Sequence, residues 1–168
     1  MMVETRSSLK AAVLYTSRYG NTEKIAKSIE SGLKEAGVTA CRASTVECTL
    51  DSLKEFDLIC LGAPTEWLSA PKPMKEFIER LNGVNLAGKY GFAFDTKLSR
   101  LLSGSAAGYI EKELVKHGLH LITPRESAIV YATGSSMSSM RLKDGEEQRF
   151  RGIGRRIGLD LEKESPLL

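Results

Sequence analysis

Residues Ala11-Ala12-Val13-Leu14-Tyr15 form an apolar run that ends in Thr16 and gives way to Ser17-Arg18-Tyr19-Gly20-Asn21-Thr22. No other stretch limits the fold as strongly. An apolar run of this length without polar alternation suits a strand buried on both faces, as in a parallel sheet. From Thr22 to Ala36 the apolar residues Ile25, Ile29 and Leu33 recur at helical spacing, and Gly37 is placed to stop the helix. Hydroxyl, amide and glycine residues therefore gather where a helix N-terminus presents unpaired N–H groups and the positive end of its dipole. Such a place binds an anion, most often a phosphate.

Strand and helix signals keep alternating along the chain. Val38–Ala43 reads as a second strand and Asp57–Gly62 as a third, followed by the proline-punctuated loop Ala63–Pro73. Met74, Phe77, Ile78 and Leu81 mark the inner stripe of a short helix closed by Asn82-Gly83. Lys89–Phe94 is a fourth strand. Ser103 is placed to cap a helix with Ala106, Ile110 and Leu114 inside and Gly118 at its end. Leu119–Thr123 and Ala128–Tyr131 offer a fifth strand, in one piece or two. A last helix is expected from Asp144, with Glu147 in a capping-box-like position, burying Phe150, Ile153, Ile157 and Leu161. Gly152, Gly154 and Gly158 weaken that helix by about 1 kcal/mol each relative to alanine, and close approach to the sheet would account for them. This β-α-β-α order predicts an α/β fold, a doubly wound five-stranded parallel sheet with helices on both faces. Its ligands belong past the carboxyl ends of the strands.

The 168 residues suit one domain with a full core, spanning 1–168, with 1–9 as a flexible N-terminal extension. The longest apolar runs are far too short to span a membrane, and Met1–Lys10 lacks the apolar segment of a secretory signal. Cys41, Cys48 and Cys60 make no C-x-x-C pair and leave an odd thiol over, which points to reduced thiols in a cytoplasmic protein. The net charge of +3 comes without a Lys/Arg block, so no nucleic-acid partner and no membrane insertion are expected.

Several chemistries share this layout and differ in the residues placed after each strand. The Walker loop, a G-x-G-x-x-G after the first strand and a G-x-S-x-G elbow are all absent from the sequence. A phospho-receiver needs an acidic residue at the end of the third strand, which here reads Leu61-Gly62-Ala63. A small tyrosine phosphatase needs a cysteine in the first loop, where Thr16-Ser17-Arg18-Tyr19 stands. No His, Cys and Asp cluster has metal spacing. Thr16-Ser17-Arg18-Tyr19-Gly20-Asn21-Thr22, in contrast, resembles the phosphate loop of the flavodoxin family. Gly62-Ala63-Pro64-Thr65-Glu66-Trp67 and the following Pro71-x-Pro73-Met74 are similar to that family's second flavin loop and its helix. Gly91-Phe92-Ala93-Phe94-Asp95-Thr96-Lys97, with Ser103-Gly104-Ser105-Ala106 after it, resembles the third loop of a flavodoxin-like subgroup.

The resemblance implies bound FMN. Its phosphate would sit on the backbone N–H groups from Ser17 through Arg18, Tyr19, Gly20 and Asn21 to Thr22. The hydroxyls of Thr16, Ser17 and Thr22 and the Asn21 amide would complete the shell. Arg18 either adds charge or points into water. Pro64, Thr65, Glu66 and Trp67 would lie along the ribityl chain and the flat ring, with Trp67 as a wall. Backbone groups at Phe94, Asp95, Thr96 and Lys97 would reach the pyrimidine edge. Two departures from the family pattern stand out. Leu68 occupies the place of a glycine whose peptide flips on reduction, and leucine resists the positive φ of such a flip, so the one-electron-reduced flavin is expected to be less stabilised. The third loop also lacks the usual stacking aromatic, leaving one ring face open.

These features predict an FMN-binding redox protein acting as an electron carrier, with no catalytic acid, base or nucleophile. The rivals are a small FMN-dependent NAD(P)H:quinone-type oxidoreductase and a flavodoxin-shaped interaction domain without cofactor. The expected partners are redox proteins or a small electron acceptor, and the oligomeric state stays open. Carriers of this family are usually acidic and dock on basic partners, and the charge of +3 departs from that habit.

Overall fold

The computed structural model describes residues 8–98, 104–135 and 140–165. Seven strands form one sheet: β1 (Lys10–Tyr15), β2 (Thr39–Ser44), β3 (Leu58–Pro64), β4 (Tyr90–Lys97), β5 (His120–Leu121), β6 (Glu126–Ala132) and β7 (Met140–Leu142). Among the described residues four α-helices accompany them: α1 (Asn21–Glu35), α2 (Lys72–Arg80), α3 (Ala106–Lys116) and α4 (Glu146–Glu164). The strand order is β2-β1-β3-β4-β6-β7, parallel throughout except that β7 runs antiparallel to β6.

The doubly wound α/β class agrees with the sequence; the strand count differs from five. The fifth strand is split, with β5 pairing with Tyr90 and Gly91 and β6 pairing with Phe94 to Lys97 of the same β4. β7 has no counterpart among the expected strands, because three residues carry too little alternation to register as one. Residues 1–7 of the expected extension and the Ser103 cap lie outside the described residues. Ser8 and Leu9 are tied to β2, through the hydroxyl pair Ser8–Thr39 (3.0 Å) and the Thr39 N–H donated to the Leu9 carbonyl (2.9 Å).

Strand alternation divides the core into two layers. Ala12, Leu14, Ile59, Leu61 and Ala93 face α2 and α3, meeting Met74, Phe77 and Ile110. Ala11, Val13, Leu58, Cys60 and Phe92 face α1 and α4, meeting Ile25, Ile29, Phe150 and Ile157. Tyr15 is buried in the second layer, as its place in the strand suggests.

Two helix termini differ from expectation. Ser105 caps α3, its hydroxyl accepting from the Gly108 N–H (2.9 Å). α4 starts at Glu146 behind Gly145, whose φ of 89° needs no side-chain cap, so the Asp144–Glu147 capping box does not form. Glu146 instead turns inward, accepting from the Ile129 N–H (2.8 Å) and pairing with Arg149 (2.9 Å). Its hydrogen bond is the main force holding the Arg149 guanidinium above its ordinary range.

Gly154 and Gly158 of α4 serve the contact with α1 and the turn after it rather than one with the sheet. A Cβ at Gly154 would collide with the Ile29 carbonyl, and one at Gly32 with the Arg151 carbonyl. α1 and α4 thus cross with their backbones close together, while Gly152 faces open space. Gly154→Ala should cost about 1–3 kcal/mol by overpacking, and Gly152→Ala should gain roughly 0.5–1 kcal/mol by removing a flexible helical glycine; urea unfolding of the two variants reads opposite signs. Burial also pushes the Cys60 thiol above its ordinary value of 9.0. The folded state therefore keeps this proton when the unfolded state loses it. The resulting stability is complete below about pH 9 and falls by about 1.4 kcal/mol per pH unit above it. Urea midpoints of wild type and Cys60→Ala across the alkaline range should show this extra slope in the wild type alone.

Candidate functional site

The parallel register sets Tyr15, Gly62 and Phe94 in one row across β1, β3 and β4. Three loops therefore leave the carboxyl edge of the sheet side by side, at a place where helices depart to both faces. The first loop begins at Thr16, whose N–H is donated to the Gly62 carbonyl (3.0 Å). The Ser17 hydroxyl accepts from the N–H groups of Gly20 (3.1 Å) and Glu23 (3.4 Å), closing the loop into a cradle. Gly20 takes φ 89° there, and the first helical bond, Lys24 N–H to the Gly20 carbonyl, forms at 3.1 Å. The N–H groups of Asn21 and Thr22 lie ahead of it, at the positive end of α1. The Thr16 hydroxyl, at the start of the loop, is buried and has no hydrogen-bond partner.

Other polar groups of this loop are engaged with the fold. The Asn21 amide donates to the Met140 carbonyl (3.0 Å), tying the loop to β7. Thr22 and Thr96 share a buried hydroxyl–hydroxyl bond of 3.0 Å. Arg18 neither enters the cradle nor stands alone in water: it reaches Glu66 of the second loop at 3.5 Å and lies over the Tyr19 ring. Behind the loop, burial and then Glu23 push the Tyr15 hydroxyl above its ordinary range.

The second loop makes a two-residue hairpin. Glu66 and Ser69 exchange backbone hydrogen bonds of 2.9 and 3.0 Å, and between them Trp67 and Leu68 take φ values of 48° and 64°. Leu68 thus adopts the positive φ that a leucine side chain is expected to resist. The premise for weaker stabilisation of the one-electron-reduced flavin falls with it. Positive φ costs a non-glycine residue of order 1–3 kcal/mol, and the paired hydrogen bonds of the hairpin hold it in place. Trp67 is 99% exposed, at the rim of the site and not in the core.

β4 continues three residues past its expected end, to Lys97. The fully buried Phe94 packs its ring over Gly62, where any side chain would collide with it, and stacks on Phe92 at 6.2 Å. Asp95 is also fully buried. Its Oδ2 accepts from the Thr65 hydroxyl (2.9 Å) and the Ala107 N–H (3.0 Å), and the Ala106 N–H is donated back to Thr65 (3.0 Å). The other oxygen, Oδ1, is buried without a partner. Asp95 therefore ties the second loop to the start of α3.

Between the loops lies a cleft of about 530 Å³, within the range of small-ligand sites. Ser17, Arg18, Tyr19, Asn21 and Thr22 line one side, and Pro64, Thr65, Glu66, Trp67 and Leu68 another. Thr96, Lys97, Leu98, Gly104, Val130 and Met140 complete it. Of the residues singled out from sequence, Thr16, Gly20, Phe94 and Asp95 do not line this cleft. Sequence reasoning missed Leu98, Gly104, Val130 and Met140 as lining. The last two come from the β6–β7 hairpin, which has no strong periodic signal, and only the Asn21 amide marks its place. No group of three His, Cys, Asp or Glu among the described residues is placed to hold a metal ion.

A doubly wound α/β protein with an anion cradle beside an open apolar cleft at its carboxyl edge has the form of a nucleotide-cofactor protein. Residues 12–125 match the family model described as a flavodoxin domain. A flavodoxin from Clostridium saccharobutylicum is 28% identical over 160 residues, covering 89% of this chain and 95% of that one. The solved structure of a flavodoxin from the domain Archaea superposes with a TM-score of 0.76 at 27% identity, covering 92% of this chain and 99% of its own. An NAD(P)H dehydrogenase (quinone) from Rhizobium meliloti is 29% identical over 109 residues, about half of each chain. The chain belongs to the flavodoxin family and is an FMN-binding redox protein.

Removing the Asp95 carboxylate should orphan the Thr65 hydroxyl and the Ala107 N–H together. Asp95→Ala should cost about 1–3 kcal/mol for each group left unpaired, read as a lowered thermal midpoint, and Asp95→Asn, which keeps an acceptor, should restore most of it.

Proposed function

We propose that this chain is an electron carrier that holds the FMN phosphate in the Thr16–Thr22 loop and the flavin ring between the second loop and the β6–β7 hairpin. One observation carries the assignment: the Thr16 hydroxyl is buried without a hydrogen-bond partner at the start of a loop whose Ser17, Asn21 and Thr22 line one side of a largely apolar cleft. A buried hydroxyl without a partner costs stability unless a ligand satisfies it, and a phosphate oxygen does so. The N–H groups of the loop from Ser17 to Thr22 and the α1 dipole neutralise the anion. Ser17 shapes the cradle through its two bonds, and Asn21 and Thr22 brace it against β7 and β4. Pro64, Thr65, Glu66 and Trp67 form one wall of the ring site, while Thr96 and Lys97 stand at its edge and Phe94 and Asp95 support it from below.

FMN, when bound, supplies the redox chemistry, and the protein controls its exposure and surroundings. Neither histidine nor cysteine lines the cleft, which suits electron transfer without a protein acid or nucleophile. Partners would be redox proteins or a small electron acceptor. The three free cysteines support a reducing, cytoplasmic setting, and no helix among the described residues is long and apolar enough to cross a membrane.

The purified protein should be yellow and release FMN on denaturation. Thr16→Val should weaken FMN binding about tenfold, or about 1.4 kcal/mol, in a fluorescence titration, while riboflavin, which lacks the phosphate, binds both forms alike. A colourless protein that takes up no added FMN would overturn the reading. The reductase alternative is favoured by a second cleft of about 760 Å³ that shares Leu68, Lys97 and Gly104 with the first. Rapid bleaching by NADH or NADPH alone would select it over the carrier.

A further inference from the structure

Two walls of the cleft meet through a single side chain. Asn21, the first residue of α1, belongs to the phosphate loop, yet its amide donates to the Met140 carbonyl of β7 at 3.0 Å, across 119 residues of chain. Met140 and Val130 line the cleft from the β6–β7 hairpin. Val130 pairs with Leu142 and Ala132 with Met140, so the hairpin presents Val130 and Met140 together only while β7 keeps its place on β6.

A hydrogen bond holds both of its partners, and here the firmer one is α1. This helix packs backbone to backbone on α4 at Gly32 and Gly154, and its first turn is tied to β4 by the buried Thr22–Thr96 hydroxyl bond of 3.0 Å. β7 is held less firmly. It is three residues long, ends the sheet, and pairs with β6 alone among the described strands. Its base is secured by the Lys143 N–H donated to the Ile129 carbonyl (2.8 Å) and by Leu142 packed on the α1–α4 layer. At its other end, beside the cleft, the Asn21 amide ties Met140 to the helix. A short edge strand of this kind opens locally at low free energy, so one such tie weighs heavily on its position.

We propose that Asn21 is a positioning residue for the flavin ring: from within the phosphate loop, its amide holds the β6–β7 hairpin and with it the wall formed by Val130 and Met140. The inference rests on the FMN-carrier reading and gives this residue a role in the ring half of the site rather than in the anion shell. The bond is a partly buried, neutral amide–carbonyl pair, and losing it is worth about fivefold in affinity. That loss falls equally on FMN and on riboflavin, because both carry the ring and only FMN carries the phosphate. A group acting on the phosphate, as the Thr16 hydroxyl does, moves FMN alone.

The test is fluorescence titration of the flavin-free protein with FMN and with riboflavin. Asn21→Ala should weaken both by the same factor, about fivefold, so that the ratio between them stays as in wild type. Asn21→Asp keeps the side-chain shape, removes the donor and adds a charge favoured at a helix N-terminus, which supports folding. The uncharged riboflavin should again lose at least about fivefold. Hydrogen exchange of the flavin-free protein gives a readout independent of binding: in Asn21→Ala the hairpin amides, those of Arg141 and Lys143 among them, should exchange at least about threefold faster, while those of β1 keep wild-type rates. A loss confined to FMN, or unchanged exchange in the hairpin, would overturn the positioning role while leaving the carrier reading intact. A wild type that binds neither flavin would overturn both.

Discussion

Parallel pairing in strict register among β1, β3 and β4 is the constraint on which the site depends. Because Tyr15, Gly62 and Phe94 lie in one row, the loops that leave them start at the same height and must share one edge. Gly62 is the tight point of that row. Its missing side chain admits the Phe94 ring, so β4 sits close to β3 and can run on to Lys97 as a paired strand. A shift of one residue in this pairing would exchange the two faces of the core and separate the loops.

On that frame, polar side chains are divided between those that build the site and those left for a ligand. Ser17, Asn21, Thr22, Thr65 and Asp95 all form hydrogen bonds that fasten one loop to another element or close a loop on itself. The Thr16 hydroxyl alone among the threonines of the site is buried without a partner, and this suits it to a ligand oxygen. The division explains why a loop of small polar residues can be both rigid and receptive. The same division appears at α3, where Thr65, Asp95 and Ser105 take up the first N–H groups and leave that helix start with little capacity for an anion.

Helix packing on the far layer obeys a different rule. α1 and α4 approach until backbone meets backbone, which Gly32 and Gly154 allow and any larger residue would prevent. This contact braces α1, and with it the cradle at its N-terminus, against the longest helix. The glycines lower intrinsic helicity and permit close packing in exchange, so composition alone misreads them as a contact with the sheet.

Much of the fold is legible in the sequence because its signals are local. The buried run of β1, the inner stripes of α1 and α2, and the order of loops after strands are each written in consecutive residues, and the Thr16–Thr22 cradle is one of them. The features that escape are decided by contacts distant in sequence. β7 exists because it pairs with β6 and receives the Asn21 amide, and three residues cannot announce that by themselves. Phe94 and Asp95 look like ligand contacts in a loop pattern, yet the register with β3 draws them into the interior. Leu68 is by residue type unsuited to positive φ, and only the hydrogen-bonded closure of Glu66 on Ser69 makes that backbone available. The sequence by itself determined that an anion cradle stands at the end of a buried strand, because apolar pattern, glycine and hydroxyls act locally. The tertiary structure decided which hydroxyl is left for the ligand and which aromatic faces water, because both depend on what neighbouring strands and loops have already claimed.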